Sequence, residues 1–168
     1  GTGRKKPEGQ PMLRRGVKRA EAWTPRNRRI RRAALTGGFA FMWRCSEYLS
    51  RGGAGWDATK VLLGRDWAFK EDGVRLQPEE VVRANELSVF VKASKTDQYN
   101  EGQLLTHHIA GVDVMDLCVV RAFRDVVMLF PERLTTEAHL PFFRWEDGSP
   151  VTRMDVKDLL GTAALQEG

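Results

Sequence analysis

The chain has 168 residues, 42% of them hydrophobic, with 27 Lys/Arg against 22 Asp/Glu and two cysteines. That length fits one ordinary domain able to bury a real core, and two cysteines exclude a disulfide framework. No apolar run approaches the ~20 residues that span a bilayer, and no signal-peptide core stands at the N-terminus, so an intracellular, soluble protein is expected.

The formal net charge of +5 is unevenly spread. Residues 1–32 carry twelve Lys/Arg against Glu8 and Glu21, a balance of +10, which leaves 5 − 10 = −5 for the remainder. A basic arm ahead of a mildly acidic body points to a polyanion, most often nucleic acid; a solvated or targeting tail is the alternative. Residues 1–26, rich in Gly, Pro and charge, read as a flexible arm, and 27–168 as the folded domain. Arg26, Arg28, Arg29, Arg31 and Arg32, at the junction, are the candidate DNA contacts. Trp23, within the arm, is placed to stack on a base.

From Asn27 the chain turns helical. Ile30, Ala33, Ala34, Gly37, Phe41, Arg44 and Tyr48 recur at helical spacing, and Arg51-Gly52-Gly53 is a stop. Gly37-Gly38 costs roughly 1 kcal/mol per glycine in a helix, so it marks close packing or a junction between two helices. The middle of the chain changes period. Asp66 to Lys70 alternates, Glu71-Asp72-Gly73 is a turn, and Val74-Arg75-Leu76 is a second short strand. Leu87 to Lys92 and Gln103 to Ile109 are two further strands, joined by a polar loop with Lys95 at the hairpin tip. Asp113 or Asp116 is a candidate cap for a helix ending at Phe130, where Pro131 stops it. After a short apolar segment at 140–143, Thr152 to Asp155 resembles a capping box for a last helix with Val156, Leu159, Leu160, Ala163 and Ala164 on one face. The fold class is α+β, mostly helical: a small antiparallel sheet, with a Lys-bearing hairpin, packed among helices.

Two cations carry candidate chemistry. Arg44 lies at helical spacing with Phe41 and Tyr48, and Glu47 follows at i+3. A guanidinium there either binds a phosphate bidentately or makes a helix-surface ion pair. Lys95 is either a solvated loop lysine or, at a scissile phosphate, a proton donor to a leaving alkoxide. Other groups offer less. His107 and His108 point to opposite faces of a strand, so no shared metal is expected. Gly52-Gly53-Ala54-Gly55 lacks the strand and helix of a nucleotide loop. Most of the tryptophans should be core, and Cys45 and Cys118 read as buried thiols.

Arg44-Cys45-Ser46-Glu47-Tyr48-Leu49, after an apolar Gly-containing stretch, resembles the "tGxRxsEl" segment of tyrosine recombinases of the phage-integrase type. Val91-Lys92-Ala93-Ser94-Lys95-Thr96-Asp97-Gln98, followed by Gly102, resembles the family's "sKTdq…G" hairpin, in a form frequent in eukaryotic mobile elements. The order of later elements agrees, and the likeness covers roughly 28–165. The resemblance implies a domain that cuts and rejoins DNA through a 3′-phosphotyrosyl link without metal or nucleotide cofactor. It implies Arg44 on the non-bridging oxygens of the scissile phosphate, Glu47 as its supporting acid, and Lys95 as general acid for the 5′-oxygen. DNA is the implied partner, and assembly as a homo-oligomer on DNA is implied with it.

The family's H-x-x-R box is absent from this chain, and Tyr48 and Tyr99, its only tyrosines, match no nucleophile. The chain opens Gly1-Thr2-Gly3 without Met and is expected to be a fragment, truncated before that box and inactive in DNA cleavage as it stands. Three readings stay open: the DNA-binding core of a recombinase, a non-catalytic module derived from one, or an unrelated basic α+β nucleic-acid-binding or interaction domain.

Overall fold

A computed structural model describes residues 24–50, 55–92 and 101–166, except the side chains at 159 and 162–166. The first helix, α1 (Pro25–Ala40), begins where its local chemistry dictates. The Thr24 hydroxyl accepts from the Asn27 amide at 3.1 Å, and Pro25 occupies the first turn, where no donor is lost. The helix therefore starts two residues ahead of the Asn27 boundary read from the sequence.

Gly37 and Gly38 do not divide this helix. Both lie inside α1, and both serve close packing instead: a Cβ on Gly37 would stand 2.9 Å from the Phe123 ring, and one on Gly38 would stand 2.5 Å from the Tyr48 hydroxyl. The chain breaks later, at Met42, whose φ of 54° is left-handed. A one-turn helix, α2 (Cys45–Tyr48), follows. The residue series from Ile30 to Tyr48 therefore spans two helices and a turn rather than one continuous stripe.

Strands β1 (Trp67–Glu71), β2 (Val74–Arg75), β3 (Glu86–Val91) and β4 (Gln103–His108) form one antiparallel sheet in the order β2-β1-β3-β4. The β1–β2 hairpin turns on Asp72 and Gly73 alone, with φ of 50° and 83°, the double left-handed geometry that suits the right-handed twist of the strands. In the register Trp67 faces Val89, which faces Leu105; Phe69 faces Leu87, which faces His107. These residues share one face of the sheet, and Trp67, Phe69, Leu87 and Val89 are buried there. On the opposite face Phe90 and its cross-strand neighbour Leu104 remain exposed.

Helix α3 (Val119–Leu129) covers the buried face, packs against α1, and inserts Val120, Phe123 and Val127. Its start differs from expectation. A 3-10 turn over Val112–Leu117 precedes it, and Cys118 stands at the cap position, so neither Asp113 nor Asp116 caps the helix. The core is aromatic: Phe123 lies 4.4 Å from Trp67 and stacks at 5.4 Å on Phe142, while Phe143 meets Tyr48 edge-on at 5.6 Å. Such pairs add about 0.5–1.5 kcal/mol each beyond area burial.

Helix α4 (Arg153–Gln166) opens on the expected capping box. Thr152 Oγ1 accepts from the Asp155 amide at 3.2 Å, and the Asp155 carboxylate accepts from the Thr152 amide at 2.9 Å. Val156 on this helix is buried and Leu160 is exposed, so its apolar face is only partly covered. Among the described residues no helix is long and apolar enough to cross a membrane.

Candidate functional site

Arg44 is not on a buried stripe. It is exposed, in extended conformation, at the cap position of α2. Glu47 does support it, but at the backbone: its carboxylate accepts from the Arg44 amide at 2.8 Å and so pins the first turn. No ion pair joins the two side chains, and among the described residues the guanidinium has no partner. The preceding residues explain why the arginine faces outward. Phe41 stacks on Trp43 at 4.4 Å, and Trp43 meets Trp67 at 5.8 Å and Tyr48 at 5.3 Å. The apolar neighbours turn inward on both sides, and the polar residue between them is left at the surface.

Lys95, within 93–100, lies outside the described residues, as do Trp23 and Tyr99. The root of its hairpin is described and is firmly held. Val91 faces Gln103 at the last rung, and Lys92 bridges the Asp66 carboxylate at 2.9 Å while donating to the Ala58 carbonyl at 2.6 Å. Asp66 also accepts from the Leu63 amide at 2.8 Å. Lys92, which the sequence reading passed over, is thus a structural anchor for the loop that bears Lys95. Trp67 opens β1 and faces Val89, two residues from the hairpin root, so the Trp43–Arg44 turn packs toward the end of the sheet from which that loop leaves.

The five arginines of α1 divide. Arg29 bonds Asp125 at 2.6 Å, and Arg32 approaches the same carboxylate at 3.6 Å while donating to the Met115 and Asp116 carbonyls. Arg26 lies 3.6 Å from Glu146. These three help tie α1 to the rest of the fold. Arg28 is exposed and has no partner among the described residues; Arg31 is half-buried.

Tyr48 is no candidate nucleophile. It is buried, its hydroxyl donates to the Ala34 carbonyl at 3.0 Å, and burial raises its pKa far above the ordinary phenol value. His107 and His108 diverge as expected: one ring nitrogen of His107 bonds the Ala40 carbonyl at 2.8 Å, whereas His108 stands exposed beside Glu86. Among the described residues no group of three His, Cys, Asp or Glu side chains could hold a metal. Of the thiols, Cys118 is buried and Cys45 only partly so.

Two buried arginines escaped the sequence reading. Arg133 donates to the Phe142 carbonyl at 3.0 Å and lies over the Phe130 ring at 4.2 Å; burial, with the Arg144 charge nearby, lowers its pKa to about 10. Arg144 bonds Glu137 at 2.7 Å and the Pro141 carbonyl at 2.8 Å, and that bond holds the Glu137 carboxyl below its usual range. Both clamp the 131–145 segment. No spacing rule marks such residues, because their acceptors, mostly backbone carbonyls, are set by the irregular path of this segment.

No family model matches this chain, and neither a curated protein nor a solved structure matches it significantly.

Proposed function

We propose that this chain is the DNA-binding core of a tyrosine-recombinase-type domain, with Arg44 meeting a backbone phosphate and Lys95 approaching the same group from the hairpin. The observation that carries the reading is Arg44 itself. Its root is fixed by the Glu47 carboxylate, and its guanidinium is exposed without a partner among the described residues. A planar fork in that state is ready for bidentate contact with phosphate oxygens and gives up no ion pair to make it. The anchored hairpin root adds support, because the Lys92–Asp66 ion pair holds the β3 end of the Lys95 loop and the Val91–Gln103 pairing joins its two ends at the sheet.

Tyr48 takes no catalytic part in this reading. A buried, donating phenol with a raised pKa is a structural group, so strand cleavage is not assigned to it. Phosphate binding alone accounts for the arrangement around Arg44.

Fluorescence anisotropy with a labelled duplex tests the proposal. Arg44→Ala and Lys95→Ala should each weaken binding several-fold while leaving the circular dichroism spectrum unchanged, since the exposed Arg44 side chain makes no hydrogen bond or ion pair among the described residues. Unchanged affinity in both variants, with binding lost only when residues 1–32 are neutralised, would favour an unrelated basic domain.

A further inference from the structure

The end of α1 carries two features that oppose folding and add nothing to the core. The helix closes on a complete C-terminal cap: the Met42 amide donates to the Phe39 carbonyl at 3.2 Å, and the Trp43 amide to the Gly38 carbonyl at 3.0 Å. Met42 therefore fills the left-handed position of that cap, with φ of 54°, where glycine is usual and a Cβ is penalised. Packing does not offset this, because the Met42 side chain is 88% exposed, and that of Phe39, its backbone partner, is 76% exposed. Trp43 turns inward onto Phe41 and Trp67, and its other neighbour is the exposed Arg44. Two large apolar side chains and a guanidinium are thus presented within six residues, on a backbone held by the helix cap and by Glu47. Strain and apolar exposure kept together at one place are marks of a binding feature.

We propose that Met42 and Phe39 form an apolar wedge that enters a base step of DNA beside the phosphate held by Arg44. This wedge rests on DNA as the partner proposed for Arg44, and it adds a contact that a phosphate clamp lacks. Met and Phe are among the side chains that part stacked bases, and single side chains act in this way. A protein partner fits so small a tip less well. Each side of a stable protein interface buries about 800 Å², whereas a ring such as that of Phe39 supplies about 150–250 Å². The sole Asp or Glu in residues 36–48 is Glu47, and its carboxylate accepts from the Arg44 amide.

The test compares a fluorescein-labelled, fully paired duplex with the same duplex carrying a central mismatch, where parting the bases costs less. The full chain should bind the mismatched duplex at least about fivefold more tightly, because part of the unstacking cost is already met. Met42→Gly suits the left-handed backbone and should keep the fold while lowering that preference. Adding Phe39→Gln, polar and compatible with a helix, should abolish it. Arg44→Ala should weaken binding to both duplexes alike and keep the preference. No preference in the wild type, or the same preference in Met42→Gly and in the double variant, would overturn the wedge. If Arg44→Ala still weakened both duplexes, the phosphate contact would stand without it; if neither duplex bound, both would fall. Loss of the preference in Met42→Gly with unchanged affinity in Arg44→Ala would support the wedge and remove the phosphate contact alone. A dimer seen by sedimentation and dispersed by Met42→Gly, with no mismatch preference, would make the tip an interface between copies and overturn the proposal.

Discussion

Gly64 has no room for a side chain, since a Cβ there would overlap the Arg133 carbonyl oxygen, a backbone atom that cannot swing away. Gly64→Ala should therefore lower stability by about 1–3 kcal/mol, the usual cost of overpacking. Urea denaturation checks this against Gly111→Ala, where nothing lies within 4 Å of the added carbon and no such loss is expected. Gly37 and Gly38 obey the same logic, and they show why single residues were only half legible. Their presence in a helix marked close packing. Which rings fill the space, Phe123 and Tyr48, depends on residues far along the chain. Arg44 is a similar case. Helical spacing placed it beside Phe41 and Tyr48, but the left-handed Met42 resets the phase between them.

Elements defined by their own local chemistry were the most legible. The Asp72-Gly73 turn fixes the β1–β2 register by itself, and the Thr152–Asp155 box opens α4 as its spacing predicted. Thr152→Ala should cost about 0.5–2 kcal/mol of helix stability. Because only Val156 is buried among the described side chains of α4, that cost should appear as faster amide exchange over 153–158 and not as a matching fall in Tm. A Tm drop without local exchange would show that α4 is integral to the core. Where an element's start depends on tertiary fit, the sequence misled. Asp113 and Asp116 are good caps by type, yet the Val112–Leu117 turn puts Cys118 at the cap position. The pairing of β3 with β4 was visible as two strands, but the anchor at its root was not. Lys92 and Asp66 are far apart in sequence and meet only after β1 pairs with β3.

At the scale of the whole molecule, the arginines of α1 are not all available to a partner. Arg26, Arg29 and Arg32 are engaged with Glu146, Asp125 and backbone carbonyls, so part of the charge holds α1 in place. Exposed ion pairs of this kind contribute little stability one by one, and they also reduce the field available to a distant polyanion. Within α1, Arg28 is exposed without a partner among the described residues, as Arg44 is at the start of α2. Of the expected basic arm and phosphate clamp, the described surface keeps an exposed arginine at the start of α2, the proposed phosphate contact, and a helix α1 in which Arg26, Arg29 and Arg32 are bonded within the fold. The most direct measurement is the salt dependence of duplex binding for the wild type and Arg44→Ala. Each lost phosphate contact removes about 0.9 from the slope of log K against log salt. With Arg44 on a backbone phosphate, the slope in Arg44→Ala is shallower by about that amount. An identical slope in the two proteins would contradict it.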